Sequence, residues 1–497
     1  MPGQARCTGV TSISPADRRR KRAVIALLSL AGAAVLGLGN GLTSCTPQSG
    51  AAENGQPVSA AQVRRLASVR LNDFRDGQSG FRATIGTPGS AVHLTGWLDW
   101  RRPLVYLAST ADRPGAADGL VEAVPELVAV HLGRRAPAAD GTGIVDPYPP
   151  PPAQPPTDDW RVRHLAASGP DGSPFDGVLA LLFGLSATQP DDARALAAAA
   201  PRFLRRTMVN GVAVDVITGP AALPPTVAGP ARPAIGAASG AEVTYWLDDN
   251  GRLRRLDALL RKDLPVRIEF NRDDRTAPAA VEMLGGAPVS PRPVTAAEAA
   301  VLAKLGVRER AIHGGRVSVL LPYAPAGLVR ADGWLDWTGT TAYLATRDAD
   351  DPGRATLVWA DRMGVTTRAT PAGASSAPPL APPKGGWQLV TWAQHDRQGS
   401  SDLDILLGAA LAGSPDPGKL RTRASWLRTD AVGGVPVTVY EIREAAEAAT
   451  APGQGLLRYW VDGSGTLRRV ELRTGYGAYG YLDVTPGHVP PLTRPAR

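Results

Sequence analysis

The sequence predicts two α+β units in tandem, each an antiparallel sheet with a few helices packed on one face. Three observations favour this fold class: a repeated pentapeptide, two matching helix starts, and strand patterns that occur in both halves. The pentapeptide Gly96–Trp100 (GWLDW) returns unchanged as Gly333–Trp337, 237 residues later. Tyr106–Ala108 and Tyr343–Ala345 match at the same offset. A self-match at a fixed spacing that contains paired tryptophans indicates an internal repeat.

The first 44 residues have the pattern of a secretory leader. Arg18–Arg22 is a basic cluster, and the run from Ala23 to Leu42 carries no charge. The run ends in Leu42-Thr43-Ser44-Cys45, which resembles a bacterial lipobox. We therefore predict cleavage before Cys45 and a diacylglyceryl anchor, with acyl chains such as palmitate, on its sulfur. A transmembrane anchor is the alternative, because about 20 apolar residues lie near the lower limit for a span. Sec and twin-arginine export both remain open.

Charge and cysteine content argue against several classes of function and site. The whole chain has a net charge of +8. Without the leader's six basic residues and one acidic residue, 48 basic and 45 acidic residues remain, a net of +3. Nucleic-acid binding is therefore not expected, since no basic stripe with interleaved aromatic residues remains. Cys7 leaves with the leader and Cys45 is the predicted lipidation site, so no disulfide or cysteine metal site is expected. The richness in Ala, Gly, Pro and Arg suggests an actinobacterial origin.

Each unit is predicted to begin with a capped helix. Ser59 with Gln62, and Thr295 with Glu298, have the spacing of capping boxes, which satisfy the free amides of a helix start. Apolar residues follow on one helical face in both copies. Further helices are predicted over Asp176–Leu185, Asp191–Ala200 and Asp402–Leu411. Asp402 and Asp404 are interpreted as N-terminal helix caps.

Strand signals fill most of the remainder. Val212, Val214 and Val216 alternate with other residues, as do Val435, Val437 and Val439, which is typical of a half-buried strand. Tyr245–Leu256 predicts a hairpin whose turn contains Asn250-Gly251, and Tyr459–Val470 repeats it. Leu284–Pro293 has the composition of a linker. The predicted organisation is a signal peptide over 1–44, a tether over 45–57, domains over 58–284 and 294–490, and a linker over 285–293.

The order of these features resembles the actinobacterial LppX/LprG-type lipoproteins, whose fold is related to LolA. The resemblance rests on the capped helix, the GWLDW strand, Phe203–Asp215, and the hairpin from Trp246 to Arg255, and it covers nearly all of the chain after the leader twice. It implies two LolA/LppX-like domains, each a curved antiparallel half-barrel with helices on one face. It also implies that acyl chains of lipids bind between the two layers. Two copies in one chain depart from the family pattern.

Catalytic constellations are missing from the sequence. No nucleophile elbow, His-Glu-x-x-His motif or phosphate-binding glycine loop occurs, so no enzyme activity, cofactor or metal is expected. The six histidines, among them His164 and His395, are interpreted as surface or cavity-edge residues. Asp99 and Asp336, inside the repeated pentapeptide, are expected to cap turns. Trp97 and Trp100 are expected on opposite faces of a strand, one buried and the other at an edge or loop. They are interpreted chiefly as core residues, with lining of an acyl-chain mouth as the alternative.

The leading hypothesis is a protein on the extracytoplasmic face of the cell membrane, anchored through Cys45. It would bind acyl chains of lipids or glycolipids in an apolar groove, for envelope lipid transport or sensing. The alternative is a non-enzymatic envelope scaffold with the same fold, a filled interior and a protein partner. A large apolar cavity favours the first, and a tightly filled interior favours the second.

Overall fold

The computed structural model describes residues 55–113, 118–131, 148–157, 159–166, 173–220, 242–261, 264–323, 326–370, 377–391, 401–412, 417–443, 447 and 450–495. The chain forms two compact units, and the main division falls between Pro278 and Ala279. We call them the N-terminal and the C-terminal unit.

The first sheet has 12 strands within the described ranges. In chain order these are β1 Gln56–Pro57, β2 Gln78–Ile85, β3 Val92–Asp99, β4 Leu104–Ala111, β5 Gly119–Val124, β6 Leu127–His131, β7 Trp160–His164, β8 Arg202–Val209, β9 Val212–Pro220, β10 Glu242–Asp248, β11 Leu253–Arg261 and β12 Leu264–Asn271. Their spatial order is β1-β8-β9-β10-β11-β12-β2-β3-β4-β5-β6-β7.

The second sheet follows the same plan. Its strands are β13 Arg292–Pro293, β14 Gly314–Tyr323, β15 Gly327–Asp336, β16 Thr341–Asp348, β17 Asp351–Asp361, β18 Gly364–Ala369, β19 Gln388–Thr391, β20 Ala424–Val432, β21 Val435–Ile442, β22 Leu457–Asp462, β23 Leu467–Arg473 and β24 Tyr479–Pro486. The spatial order β13-β20-β21-β22-β23-β24-β14-β15-β16-β17-β18-β19 is the order of the first sheet with every strand number raised by 12. Two sheets with one topology fit the repeat seen in the sequence.

The predicted sheet-dominated, antiparallel units with a few helices are confirmed. The predicted curved half-barrel is not, because neither sheet curls; both are open, as expected of a half-barrel. The strand order explains the open form of the first sheet. Its edges are β1 and β7, and β1 has only two residues, Gln56 and Pro57. So short an edge offers few backbone groups with which to close a barrel.

Seven α-helices occur in the described part of the chain. They are α1 Ala60–Asp76, α2 Pro174–Gly184, α3 Ala193–Ala198, α4 Ala296–Ala303, α5 Leu305–Ile312, α6 Asp402–Leu411 and α7 Pro417–Arg423. A short 3₁₀ helix spans Glu282–Leu284. The three further helices predicted from the sequence correspond to α2, α3 and α6.

Both predicted capping boxes are present. Ser59 accepts a hydrogen bond from the amide of Gln62, and Thr295 accepts one from Glu298, each at 3.2 Å, and both partners return the bond. The first box opens the unbroken 17-residue α1, whereas the second opens the eight-residue α4, which ends at Ala303. The sequence did not signal this break.

The carboxylates at the start of α6 need one correction. The N-cap is Ser401, whose hydroxyl accepts from the amide of Asp404 at 3.2 Å. The Asp404 carboxylate accepts from the Ser401 amide in return, also at 3.2 Å. Asp402 is the first helical residue rather than the cap. The acidic residues therefore stabilise the helix start as expected, but a preceding serine holds the cap position.

The predicted turns are confirmed in both copies. Asp99 accepts hydrogen bonds from the amides two and three residues on, at 2.9 and 3.0 Å, and Asp336 does so at 2.8 and 3.0 Å. In the hairpins, Asp248 and Asp462 each accept from the amides two and four residues on. A residue with positive φ completes each hairpin turn, as the glycine at position 251 does with φ of 73°.

Candidate functional site

An aliphatic layer separates the helices of the C-terminal unit from one face of its sheet. We call it the helix–sheet layer. The helices contribute Leu302, Leu406, Leu407 and Leu420, and the strands contribute Val319, Leu335, Leu344, Val358, Val470 and Leu482. These residues form one continuous cluster that crosses the sheet from β18 to β20. The layer is an extended apolar surface on which a hydrocarbon ligand could pack.

The helix–sheet layer is filled by the protein's own side chains. Leu302, Leu406 and Leu407 have no exposed surface, and Leu420 is 1% exposed. Trp337 ties α6 to the sheet, since its indole N–H donates to the carbonyl of Ala410 at 3.1 Å. A ligand could enter only if these helices moved away from the strands.

A buried ion pair lies at the end of α1 in the N-terminal unit. Asp73 is fully buried and contacts the Arg272 guanidinium at 2.8 Å. The guanidinium also lies over the rings of Trp100 and Phe270, at 4.7 and 4.9 Å from their centroids. Burial raises the pKa of Asp73 to about 7, although the charge of Arg272 acts in the opposite direction.

The equivalent acid of the C-terminal unit lacks this partner. Glu309 lies on α5, 236 residues after Asp73, and is 3% exposed. Strand pairing identifies the residue equivalent to Arg272. Phe270 pairs with Phe81 in the first sheet, and Val484 pairs with Val317 at the same place in the second. Two residues further on, Pro486 therefore stands where the first unit has Arg272. No arginine therefore occupies that position. Burial raises the pKa of Glu309 to about 7, with the nearby charge of Arg310 opposing the shift.

The face of each sheet opposite the helices, here called the outer face, carries the other members of the tryptophan pairs. Trp334 lies 6.3 Å from Tyr343, and Tyr343 lies 5.7 Å from Trp359 and 6.4 Å from Trp387. Trp337 belongs to the helix–sheet layer. The predicted opposite orientation of the paired tryptophans is confirmed. In the first copy both tryptophans are buried, since Trp97 is 8% exposed and Trp100 is 2% exposed. This corrects the expectation that one of them lies at an edge or loop.

A second aromatic motif recurs on the outer face. One tryptophan in each unit lies between two arginines. The distances from guanidinium carbon to ring centroid are 5.5 and 4.3 Å for Arg205 and Arg255 over Trp246, and 5.1 and 4.8 Å for Arg428 and Arg469 over Trp460. The sequence search missed this motif. The two Trp-Leu/Val-Asp hairpins with their following arginines are the signal that could have indicated it.

A pocket of about 220 Å³ opens on the outer face of the C-terminal unit. Its polar lining comes from neighbouring strands β14, β15 and β24, and a segment before β19 forms one wall. The residues of interest are Arg316, Ser318, Asp332, Trp334, Pro378 and Thr485. The pocket is smaller than the roughly 300–1,000 Å³ of sites for drug-sized ligands. It cannot enclose a long acyl chain.

Some of the predicted site residues can be placed and others cannot. Cys45 and the lipobox lie outside the described residues, as does His395. His93 contacts Asp112 at 2.9 Å, and its hydrogen bond lowers the pKa of that carboxyl. No cluster of three metal-binding side chains occurs among the residues that the structure describes. In the same ranges, no helix combines the length and the hydrophobicity needed to cross a bilayer.

Comparison with known proteins gives structural neighbours only. No family model matches the sequence, and no curated protein matches it. Lipoprotein LppX of Mycobacterium tuberculosis is similar at 12% identity and a TM-score of 0.25, over 45% of this chain and 97% of its own. LprF of Mycobacterium bovis is similar at 12% identity and a TM-score of 0.23, over 46% and 98%. A putative outer membrane lipoprotein-sorting protein domain from Vibrio parahaemolyticus shares 12% identity with a TM-score of 0.16, over 38% and 92%.

The neighbours are of the LppX and lipoprotein-sorting type that the repeated motifs resemble. At these TM-scores they assign neither a ligand nor an activity to this chain.

Proposed function

We propose that this chain is an extracytoplasmic lipoprotein of the cell membrane, anchored through a diacylglyceryl group on Cys45, that binds acyl chains of a lipid or glycolipid. Two LppX/LolA-like domains, over 58–284 and 294–490, would provide the binding layers for lipid transport or sensing. The observation that carries the proposal is the continuous aliphatic layer between the helices and the sheet of the C-terminal unit; because side chains fill it, an acyl chain would bind there by displacing the helices.

The free energy needed to open the layer determines how long a bound acyl chain must be. Opening the layer exposes leucines such as Leu302, Leu406 and Leu407, each at a cost of about 1.5–3 kcal/mol. An acyl chain that replaces them gains about 0.8 kcal/mol per methylene, so sixteen carbons contribute roughly 12 kcal/mol and eight carbons roughly 6 kcal/mol. Displacing three leucines costs on the order of 5–9 kcal/mol on the same scale. The gain from sixteen carbons exceeds this whole range and the gain from eight carbons does not, so long chains are expected to bind much more tightly than short ones.

The moving part would be the helices and not the sheet. Helices α4, α6 and α7 have only eight, ten and seven residues. Helices this short are marginal without tertiary packing, so their position depends on the apolar layer itself. An acyl chain that takes over this packing could hold them in a displaced position.

The experiment is photolabelling of the full chain in non-ionic detergent with a photoactivatable sixteen-carbon fatty acid, followed by peptide mapping. Label is expected on peptides that contain Leu406 or Leu407, with competition by sixteen-carbon but not by eight-carbon lipid. Cys45→Ser serves as the control that separates bound lipid from the covalent anchor. Label confined to outer-face peptides, or no saturable label, would contradict acyl-chain binding in this layer.

A non-enzymatic scaffold is the second candidate. The specific observation in its favour is that the layer is filled, with Leu302, Leu406 and Leu407 wholly buried. In that case the fold would present its sheet faces to an envelope protein. Native mass spectrometry of the same preparation distinguishes the two, since a carrier retains one or two lipids per chain and a scaffold retains none.

A further inference from the structure

The outer-face pocket of the C-terminal unit has a filled counterpart in the N-terminal unit. Strand pairing identifies the equivalent positions, because Trp97 lies opposite Gly80 and Trp334 lies opposite Arg316. The repeat therefore keeps the tryptophan and exchanges its cross-strand neighbour from glycine to arginine.

In the N-terminal unit a carboxylate from the same chain occupies this place. The Trp97 indole N–H donates to the Asp274 carboxylate at 2.8 Å, and the Gly80 amide donates to the Asp274 carbonyl at 2.7 Å. Thr276 fixes the acid further, with its amide and its hydroxyl 3.1 and 2.7 Å from the other carboxylate oxygen. A Cβ at Gly80 would lie 2.7 Å from that carboxylate, so a side chain at this position and Asp274 exclude each other.

The C-terminal unit lacks the internal carboxylate. The position equivalent to Asp274 is His488, which is exposed. Directly before it, the amide of Gly487 donates a hydrogen bond to the carbonyl of Gly314 at 3.1 Å. Across the described residues, no protein group accepts a hydrogen bond from the Trp334 indole N–H or pairs with the Arg316 guanidinium. Both donors line the pocket of about 220 Å³.

The charge of the pocket favours an anion. Asp332 is the acidic residue of the lining, and Arg347 binds it at 3.0 Å. The charge of Arg316 is therefore left without a counter-ion. The hydroxyls of Ser318 and Thr485 provide further donors beside it. An arginine, an indole N–H and hydroxyls arranged around a small space are suited to a carboxylate.

We propose that this pocket binds a small carboxylate, which takes the place that the Asp274 side chain fills in the other unit. One carboxylate oxygen would accept from the Trp334 indole N–H, and the group would pair with Arg316. The pocket is too small for more than a compact acid or the last residue or two of a peptide. The carboxylate can therefore come from a free acid or from a peptide C-terminus.

The test is isothermal titration calorimetry on the full chain in non-ionic detergent, with benzoate and acetyl-Ala-Ala as probes. One site per chain is expected for at least one probe, and the uncharged benzamide and acetyl-Ala-Ala amide should not bind. Arg316→Gln is expected to weaken binding at least about 10-fold, because charge-assisted hydrogen bonds are about twice as strong as neutral ones. Trp334→Phe keeps a ring and should weaken binding through loss of the N–H. The matched control, Arg194→Gln, removes an exposed charge on α3 and should leave binding unchanged.

Which probe binds identifies the source: benzoate alone indicates a free acid, and acetyl-Ala-Ala alone indicates a peptide end. Equal binding of an acid and its amide, or no effect of Arg316→Gln in a chain with an unchanged near-ultraviolet spectrum, overturns the proposal, as does the absence of binding by both acids. The result is independent of acyl-chain binding, because the pocket lies on the face opposite the helices.

Discussion

Replacing Glu309 by glutamine is expected to stabilise the C-terminal unit at neutral and alkaline pH. Glu309 is 3% exposed, and burial raises its pKa from an ordinary 4.5 to about 7. The folded state therefore binds the proton more tightly than the unfolded state between these pH values. The contribution of Glu309 to stability is therefore greatest below pH 4.5, falls as the pH rises towards 7, and is flat above. At about 1.4 kcal/mol per unit, the loss at pH 8 is roughly 3 kcal/mol, and glutamine removes it.

Asp73→Asn at the equivalent position is the matched comparison, and its effect at pH 8 should be smaller, because two contributions oppose each other there: burial raises the pKa of Asp73 to about 7 as well, but Asp73 also has a charged partner. Asp73 contacts the buried Arg272 at 2.8 Å, so the substitution leaves an arginine buried without its counter-charge. Breaking a buried pair by removing one partner costs about 3–5 kcal/mol. This cost offsets the gain from removing a buried carboxylate, so Asn at position 73 should stabilise its unit less at pH 8 than Gln does at position 309.

Hydrogen exchange of the full chain, measured by mass spectrometry at pH 5 and pH 8, reports each unit separately through the amides of α1 and α5. Protection factors correct for the intrinsic rate at each pH. Glu309→Gln should raise the free energy of opening of α5 at pH 8 and change it little at pH 5. A decrease at pH 8, or an equal change at both values, would show that Glu309 is not held as a buried acid without a partner.

Three further predictions concern local structure and the anchor. Thr295→Ala removes a capping box and should lower the stability of the C-terminal unit by about 1 kcal/mol in urea unfolding, whereas a loss below about 0.3 kcal/mol would contradict the cap. Gly333→Ala places a Cβ against the carbonyl oxygen of Tyr343 and should cost about 2 kcal/mol or more, while Gly408→Ala, which has open space in α6, should be neutral or stabilising. Cys45→Ser should move the chain from the membrane to the soluble fraction after cell fractionation, and retention would favour a transmembrane anchor.

Structural features that depend on residues close together in the chain were predictable from the sequence. A capping box needs a hydroxyl and an acid or amide three residues on, and Ser59 and Thr295 satisfy it in the structure. The aspartates of the repeated pentapeptide cap turns, and the hairpins after Tyr245 and Tyr459 close as expected. Such patterns depend on backbone groups within a few positions, so the composition of one short segment determines them.

Features that join distant segments were not predictable. Asp73 meets Arg272 across about 200 residues, and Trp97 meets Asp274 across a similar separation. Neither pair has a sequence signature, because strand register decides which side chains face each other. The predicted curvature was wrong for the same reason: whether a sheet curls depends on the whole strand order. The filled layer in the C-terminal unit likewise follows from packing that no single segment encodes.

Steric exclusion between positions 80 and 274 leads to a last prediction. In the N-terminal unit, Gly80→Ala would push a Cβ to 2.7 Å from the Asp274 carboxylate, so it should be destabilising alone. Asp274→Gly should also be destabilising alone, since it leaves the indole N–H of Trp97 without its acceptor. Combined, the two changes should cost less than their sum by about 1 kcal/mol, because removing the acid removes the clash. Additive effects in urea unfolding would mean that the carboxylate does not fill this space, and the carboxylate assigned to the pocket beside Arg316 would lose its internal counterpart.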